Sequence, residues 1–217
     1  TCGQDGSAAV WNERGEKLVA VADPKSPIVV VALNANGTRL LAGAQNGSAR
    51  LWEVASGRLL RSFESDGGGG PVAFLAFSPD GRRGLVGAAT TRIVDLEGEN
   101  TSLTLPDSTA ALLSGTFSPD GARVVTGSAD SSLNVHDATT GIRYCSIKTY
   151  DSSPLMRLEF RGPSLLVESL VSPSKVWSAT NRQDILLLKR SGTFASELAF
   201  SADGSRVYSA NAGGKML

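Results

Sequence analysis

Residues able to do chemistry are scarce. The chain of 217 residues has one histidine, His136, followed by Asp137, and two cysteines, Cys2 and Cys145. A Ser-His-Asp hydrolase needs its nucleophile on a strained elbow, and no Gly-x-Ser-x-Gly occurs. One histidine and two distant cysteines without Cys-x-x-Cys spacing supply neither a metal-ligand set nor a disulfide framework. The carboxylates Asp5, Asp80, Asp120, Asp130 and Asp203 recur in turn-like segments, where side-chain oxygens satisfy local backbone donors. The glycine run 67–70 is followed by neither Lys-Ser/Thr nor a helical pattern, so it reads as an inter-element loop and not as a phosphate cradle. His136 reads as a strand residue lining an edge, and Cys145 as inert packing. No catalytic, cofactor-binding or metal-binding residue is assigned, which leaves surface recognition as the chemistry to look for.

Composition narrows the class. Hydrophobic residues make up 41% and charged residues 19%, enough to bury a core and unlike a disordered chain. Lys plus Arg and Asp plus Glu both number 21, so the net charge is zero and no global field attracts nucleic acid or a membrane surface. The adjacent basic pairs are Arg82 with Arg83 and Lys189 with Arg190. Apolar runs such as 28–33 and 185–188 are too short to span a bilayer. Reduced thiols and no visible signal segment point to an intracellular, cytoplasmic protein. Asn36, Asn46 and Asn100 fit glycosylation sequons formally, but the first two precede glycine and read as turns.

The elements that must carry any surface emerge from self-comparison. The anchors Leu33, Phe77, Phe117, Phe160 and Phe200 recur every 40 to 44 residues. A second series, Trp11, Trp52, Val94, His136 and Trp177, keeps the same beat. Within each unit the pattern is an apolar strand, an Asp-Gly or Asn-Gly turn, a second strand, a small polar turn, a strand ending in the Trp slot, and a fourth strand. In the turns 78–81 and 118–121 proline presets φ and glycine lets the chain leave without a Cβ clash. Met156 to Phe160 alternates apolar with charged residues, the period of a half-buried strand.

This order of motifs resembles the WD40 repeat family, most clearly over 33–63 and 117–147. The resemblance implies an all-β propeller of four-stranded blades. It places 28–63, 72–105 and 112–147 as blades, 154–188 as an irregular blade, and 1–22 and 194–217 as partial ones. It implies structural roles for Asp5, Asn46 and Asp130 in the second turn, Ser128 in the second strand, and Trp11, Trp52 and Trp177 in the third. The Gly-His pair typical of such blades is missing before every unit, and no blade has the full polar set. A seven-bladed ring, usual in that family, would take about 290 residues at this period. The expectation is therefore a partial propeller, about five blades' worth, cut within strands at both ends, with a closed five-bladed ring as the alternative.

Propeller blades present their connecting loops on a common face, and binding concentrates on loops held by a rigid scaffold. The candidate partner-contact residues are Asp23, Lys25, Glu64, Asp66, Asp107, Lys148, Tyr150, Asp151, Lys189 and Arg190. The expected function is a non-catalytic scaffold that docks proteins or peptides within a larger assembly, with no cofactor and no membrane span. The alternatives are a lactonase-like or other propeller hydrolase with its site in further blades, and a subunit of an RNA-associated complex.

Overall fold

A computed structural model describes residues 1–3, 5–65, 69–98, 101–106 and 111–148, and beyond these the strands within 155–211. No helix occurs among the described residues, so none is long and apolar enough to cross a membrane. The first sheet pairs β1 (Ser7–Trp11) with β2 (Lys17–Ala22). Four-stranded antiparallel sheets follow. They are β3 (Ile28–Leu33) to β6 (Leu59–Phe63), with β4 (Arg39–Ala44) and β5 (Ala49–Glu53) between; and β7 (Phe74–Phe77) to β10 (Ser102–Thr104), around β8 (Arg83–Gly87) and β9 (Thr91–Asp95). The next is β11 (Leu112–Phe117) to β14 (Arg143–Lys148), around β12 (Arg123–Ser128) and β13 (Ser132–Asp137). The fourth is β15 (Leu155–Arg161) to β18 (Asp184–Leu187), around β16 (Ser164–Ser169) and β17 (Lys175–Ser178). A last pair joins β19 (Ala195–Phe200) to β20 (Val207–Asn211). Strands pair in chain order within each sheet, and the first strands of successive sheets lie side by side: β3 by β7, β7 by β11, β11 by β15. This is the β-propeller architecture, with first strands innermost.

No blade has a core of its own. Successive strand residues point to opposite faces, so each middle strand supplies two interfaces at once. Leu40 and Ala42 of β4 pack with Val10, Val21 and Trp52 against the first sheet, whereas Leu41 packs with Val86, Val94 and Leu96 against the next. Leu85 of β8 joins Phe74, Phe117 and Val124 in the third layer, and Val125 of β12 joins Leu133 and Leu158 in the fourth. Burial on both faces explains why the middle strands read as nearly continuous apolar runs. Each fully buried aliphatic side chain contributes about 1.5–3 kcal/mol.

His136 is 0% exposed, within β13 opposite Val124, and so is buried between blades where an edge position was expected. Trp52, Val94 and His136 hold one register slot, facing Leu40, Gly84 and Val124 respectively. The turn carboxylates behave as their residue types require. Asp120 accepts from the Ser118 hydroxyl and from Ala122 N at 3.0 Å, Asp80 does the same with Ser78 and Arg82, and Gly81 and Gly121 take φ of 70° and 67°. Asp137 Oδ1 accepts from Thr139 N and Thr140 N, and its other oxygen from the Tyr144 hydroxyl. Asn36 and Asn46 cap Thr38 and Ser48 in the same way, while Asn100 lies outside the described residues.

Two predictions follow from packing and turns. A Cβ on Gly115 would lie 2.3 Å from the Phe74 ring, which also fills the space over Gly87. Gly115→Ala is expected to cost about 2 kcal/mol by overpacking, read by urea unfolding, and the smaller ring site of Phe74→Leu should recover part of it. Hydrogen bonds to the ionised forms hold Asp80, Asp95, Asp120 and Asp137 below the usual carboxylate range. Carboxyls depressed in the folded state contribute stability that is present above about pH 4 and is lost as pH falls through their folded values. Unfolding free energy should therefore be level from pH 8 to 5 and fall below it, with a shallower acid limb in Asp120→Asn.

Candidate interaction face

The connections from a fourth strand to the next first strand, and the turns between second and third strands, emerge on one face, because strands alternate in direction. The first such connection, 23–27, lies between two of these turns: Ile28 N donates to Gly6 O at 3.0 Å, Gln45 N to Pro27 O at 2.9 Å, and Asn46 N to Ser26 Oγ at 3.1 Å. The next connection is seated on the turn at Gly47, whose Cβ would meet Ser65 Oγ at 2.9 Å, so only glycine permits this approach.

Two buried arginines fix these connections. Arg50 of β5 forms an ion pair with Asp23, with side chains only 4% and 2% exposed, and its Nε lies 3.3 Å from Ser62 Oγ. Arg92 of β9 occupies the same register position one blade on, opposite Val86 as Arg50 is opposite Ala42. It donates to Glu64 O at 2.6 Å and to Gly47 O at 3.2 Å. A guanidinium suits this task because its fork of donors satisfies several acceptors in fixed directions. The third blade places Asn134 in that position; it is fully buried, and its side chain has no hydrogen-bond partner.

Of the expected contact residues, the structure brings Asp23, Lys25 and Glu64 together. Asp23 turns its carboxylate inward to Arg50 and caps Lys25 N at 2.7 Å, so it positions the loop and is not itself exposed. Lys25 Nζ and Glu64 Oε1 are 2.8 Å apart and well exposed, tying consecutive connections, and this pairing lowers the Glu64 carboxyl pKa. Lys148 closes β14 and does not lie in a loop; its charge helps to hold Asp130 ionised, and Asp130 accepts from Ser128 Oγ and Ser132 N. Asp66, Asp107, Tyr150, Asp151, Lys189 and Arg190 lie outside the described residues. Asp5 and Asn46 cap Ser7 and Ser48 in the matching turns of earlier blades. Trp52 is buried, Trp11 is exposed, and Trp177 pairs with Leu165 in register. Among the described residues no group of three His, Cys, Asp or Glu side chains is placed to hold a metal ion.

Sequence reasoning passed over Arg50 and Arg92, since a charged residue in a third strand reads as solvated. The available signal was a cation recurring in one slot of two blades. Because Asp23 is buried and paired, Asp23→Ala should cost about 3 kcal/mol by leaving Arg50 uncompensated, whereas the exposed Lys25→Ala should cost about 0.5 kcal/mol or less. Parallel urea titrations measure both.

Comparison with known proteins fits this geometry. Residues 16–53 and 100–137 match the family model described as WD domain, G-beta repeat. Each match runs from the fourth strand of one blade to the third strand of the next. Translation initiation factor 3 subunit I of Emericella nidulans is 25% identical over 162 residues, covering 66% of this chain and 46% of that protein. The periodic tryptophan protein 2 homolog of Dictyostelium discoideum is 25% identical over 214 residues, covering 94% of this chain and 23% of its own length. The U3 small nucleolar RNA-associated protein 12 of Saccharomyces cerevisiae is 32% identical over 102 residues, covering 46% of this chain and 10% of that one. The chain thus spans less than half the length of these relatives. Among solved structures, the computationally designed Ika8 protein superposes with a TM-score of 0.82 at 26% identity, over 99% of this chain and 65% of its own. A repeat model matching in phase with the observed blades joins sequence to architecture, and the chain belongs to the WD40 repeat family.

Proposed function

We propose that this chain is a non-catalytic interaction scaffold, working inside cells within a multiprotein assembly, and that proteins or peptides dock on the face formed by the 23–27 and 64–71 connections and their neighbours. The observation that carries this reading is the anchoring of successive connections by Arg50 and Arg92, joined at the surface by Lys25 and Glu64. A loop fixed before encounter loses little conformational entropy on binding, and a rigid ring of such loops suits a docking role. The relatives support the setting: one is named as a subunit of translation initiation factor 3 and another as associated with the U3 small nucleolar RNA. A protein partner is favoured over RNA because Arg50, Arg83 and Arg92 are engaged between blades, leaving a neutral surface without a continuous basic track.

Affinity capture on the tagged chain tests this. Alanine replacements across 64–66 and 148–151 should remove the co-purifying proteins while far-ultraviolet circular dichroism stays unchanged. Arg82→Ala, in a turn on the opposite face, should keep them. A folded loop variant that retains every partner would falsify the docking face.

A further inference from the structure

A second recurrent arginine works on the opposite face. Arg39, Arg83 and Arg123 each stand two residues after a turn glycine, at the start of the second strand. Arg83 reaches out of its own blade into the next. Its Nη1 donates to Ala138 O at 2.8 Å, its Nη2 donates to Gly121 O at 2.7 Å, and its guanidinium lies 5.5 Å from the centre of the Phe117 ring. Arg39 likewise reaches forward, to Glu97 at 3.5 Å. The receiving site in the blade starting at β11 is therefore two carbonyl oxygens above an apolar anchor.

The blade starting at β3 carries the same receiving site without its arginine. Val54 N bonds Thr38 O as Ala138 N bonds Ala122 O, Gly37 N bonds Asn34 O as Gly121 N bonds Ser118 O, and Leu33 pairs with Leu40 as Phe117 pairs with Val124. Gly37, Val54 and Leu33 thus correspond to Gly121, Ala138 and Phe117. Gly37 and Val54 line a groove of about 670 Å³, with Leu18 and Leu60 on its walls and Glu53 and Arg58 beside them. Leu33 is 47% exposed where Phe117 is 4%.

The neighbouring sheet edge is open in the same place. β1 pairs with β2 on one side, while on the other it meets only the Thr1–Cys2 segment, through Ala8 and Ala9. Trp11 is consequently 47% exposed where Trp52, in the matching slot, is 5%. In the next blade the residue opposite Trp52 is Leu40 and the residue opposite Glu53 is Arg39. A strand extending alongside Val10 to Asn12 would place its arginine opposite Asn12, beside the groove.

We infer that this edge and groove form one seat for an arginine-bearing β-hairpin of the chain's own blade type. Its second strand adds to β1 by backbone hydrogen bonding, covering Trp11. Its guanidinium enters the groove, donates to Gly37 O and Val54 O, and covers Leu33. The fit is continuous with the Arg83 interface one blade pair away, and the two carbonyls and Glu53 favour a cation over an anion or an apolar side chain.

The test supplies such a hairpin from the chain itself. Residues 112–125 fused directly before Thr1 put the Arg123 copy three residues ahead of Thr1, the spacing of Arg39 to Ala42. The fusion is expected to raise the thermal midpoint by about 5 °C or more and to reduce acrylamide quenching of Trp11 in a Trp177→Phe background, where Trp52 is already shielded. Arg123→Ala in the fused copy should lose most of the thermal gain. The same segment added as a free peptide should protect Trp11 saturably, which decides the matter should the fusion fail to fold. No protection in either form, or equal gain from the alanine copy, overturns the inference. A concentration-dependent dimer of the unfused chain that protects Trp11 also overturns it, making a second copy the occupant.

Discussion

Everything in this molecule depends on burying both faces of strands that have no core to themselves. Leu40 and Leu41 are adjacent in β4 yet belong to different hydrophobic layers, one shared with the preceding blade and one with the following blade. The same division separates Leu85 from Val86 and Val124 from Val125. Stability then resides in the interfaces, and each blade is stable to the extent that its neighbours cover it. Glycine at 87 and 115 belongs to this economy of space, since the Phe74 ring occupies what a Cβ would need at either position.

Apolar packing sets the layers but does not fix where their ends point, and polar groups do that. On one face Arg50 and Arg92 reach back to the preceding connection; on the other Arg83 reaches forward to the next blade. Burying a guanidinium costs several kcal/mol unless its donors are met. Backbone carbonyls and one buried carboxylate meet them here, so the connections are held in one geometry. These contacts stand where the polar set usual in WD40 blades is incomplete. The exposed pair Lys25–Glu64 adds little energy but joins two connections into one surface.

Much of the architecture is legible in the sequence because its causes are local and repeated. The Asp-Gly and Asn-Gly turns declare themselves by residue type, and the structure gives Asp80, Asp120, Asn36 and Asn46 the capping bonds their side chains favour. The Trp-slot series keeps its register even where Val94 and His136 replace tryptophan, because the slot is defined by position in a ladder and not by the indole. The interaction face was less legible. Asp23 looks like a loop carboxylate free to meet a partner, and only the fold shows Arg50 arriving from 27 positions away in the chain to bury it. His136 looked like an edge residue for the same reason: pattern gives the strand, while the neighbouring blade decides the burial.

The sequence by itself determined the repeat, the four-strand grammar and the turn chemistry, since these follow from spacings of two residues within a strand and about 42 residues between blades. Tertiary structure decided which charges point inward, which connections are clamped, and why Trp11 and Leu33 are open where Trp52 and Phe117 are covered. Those outcomes depend on contacts between residues far apart in the chain, and a residue's type does not state what will come to lie beside it.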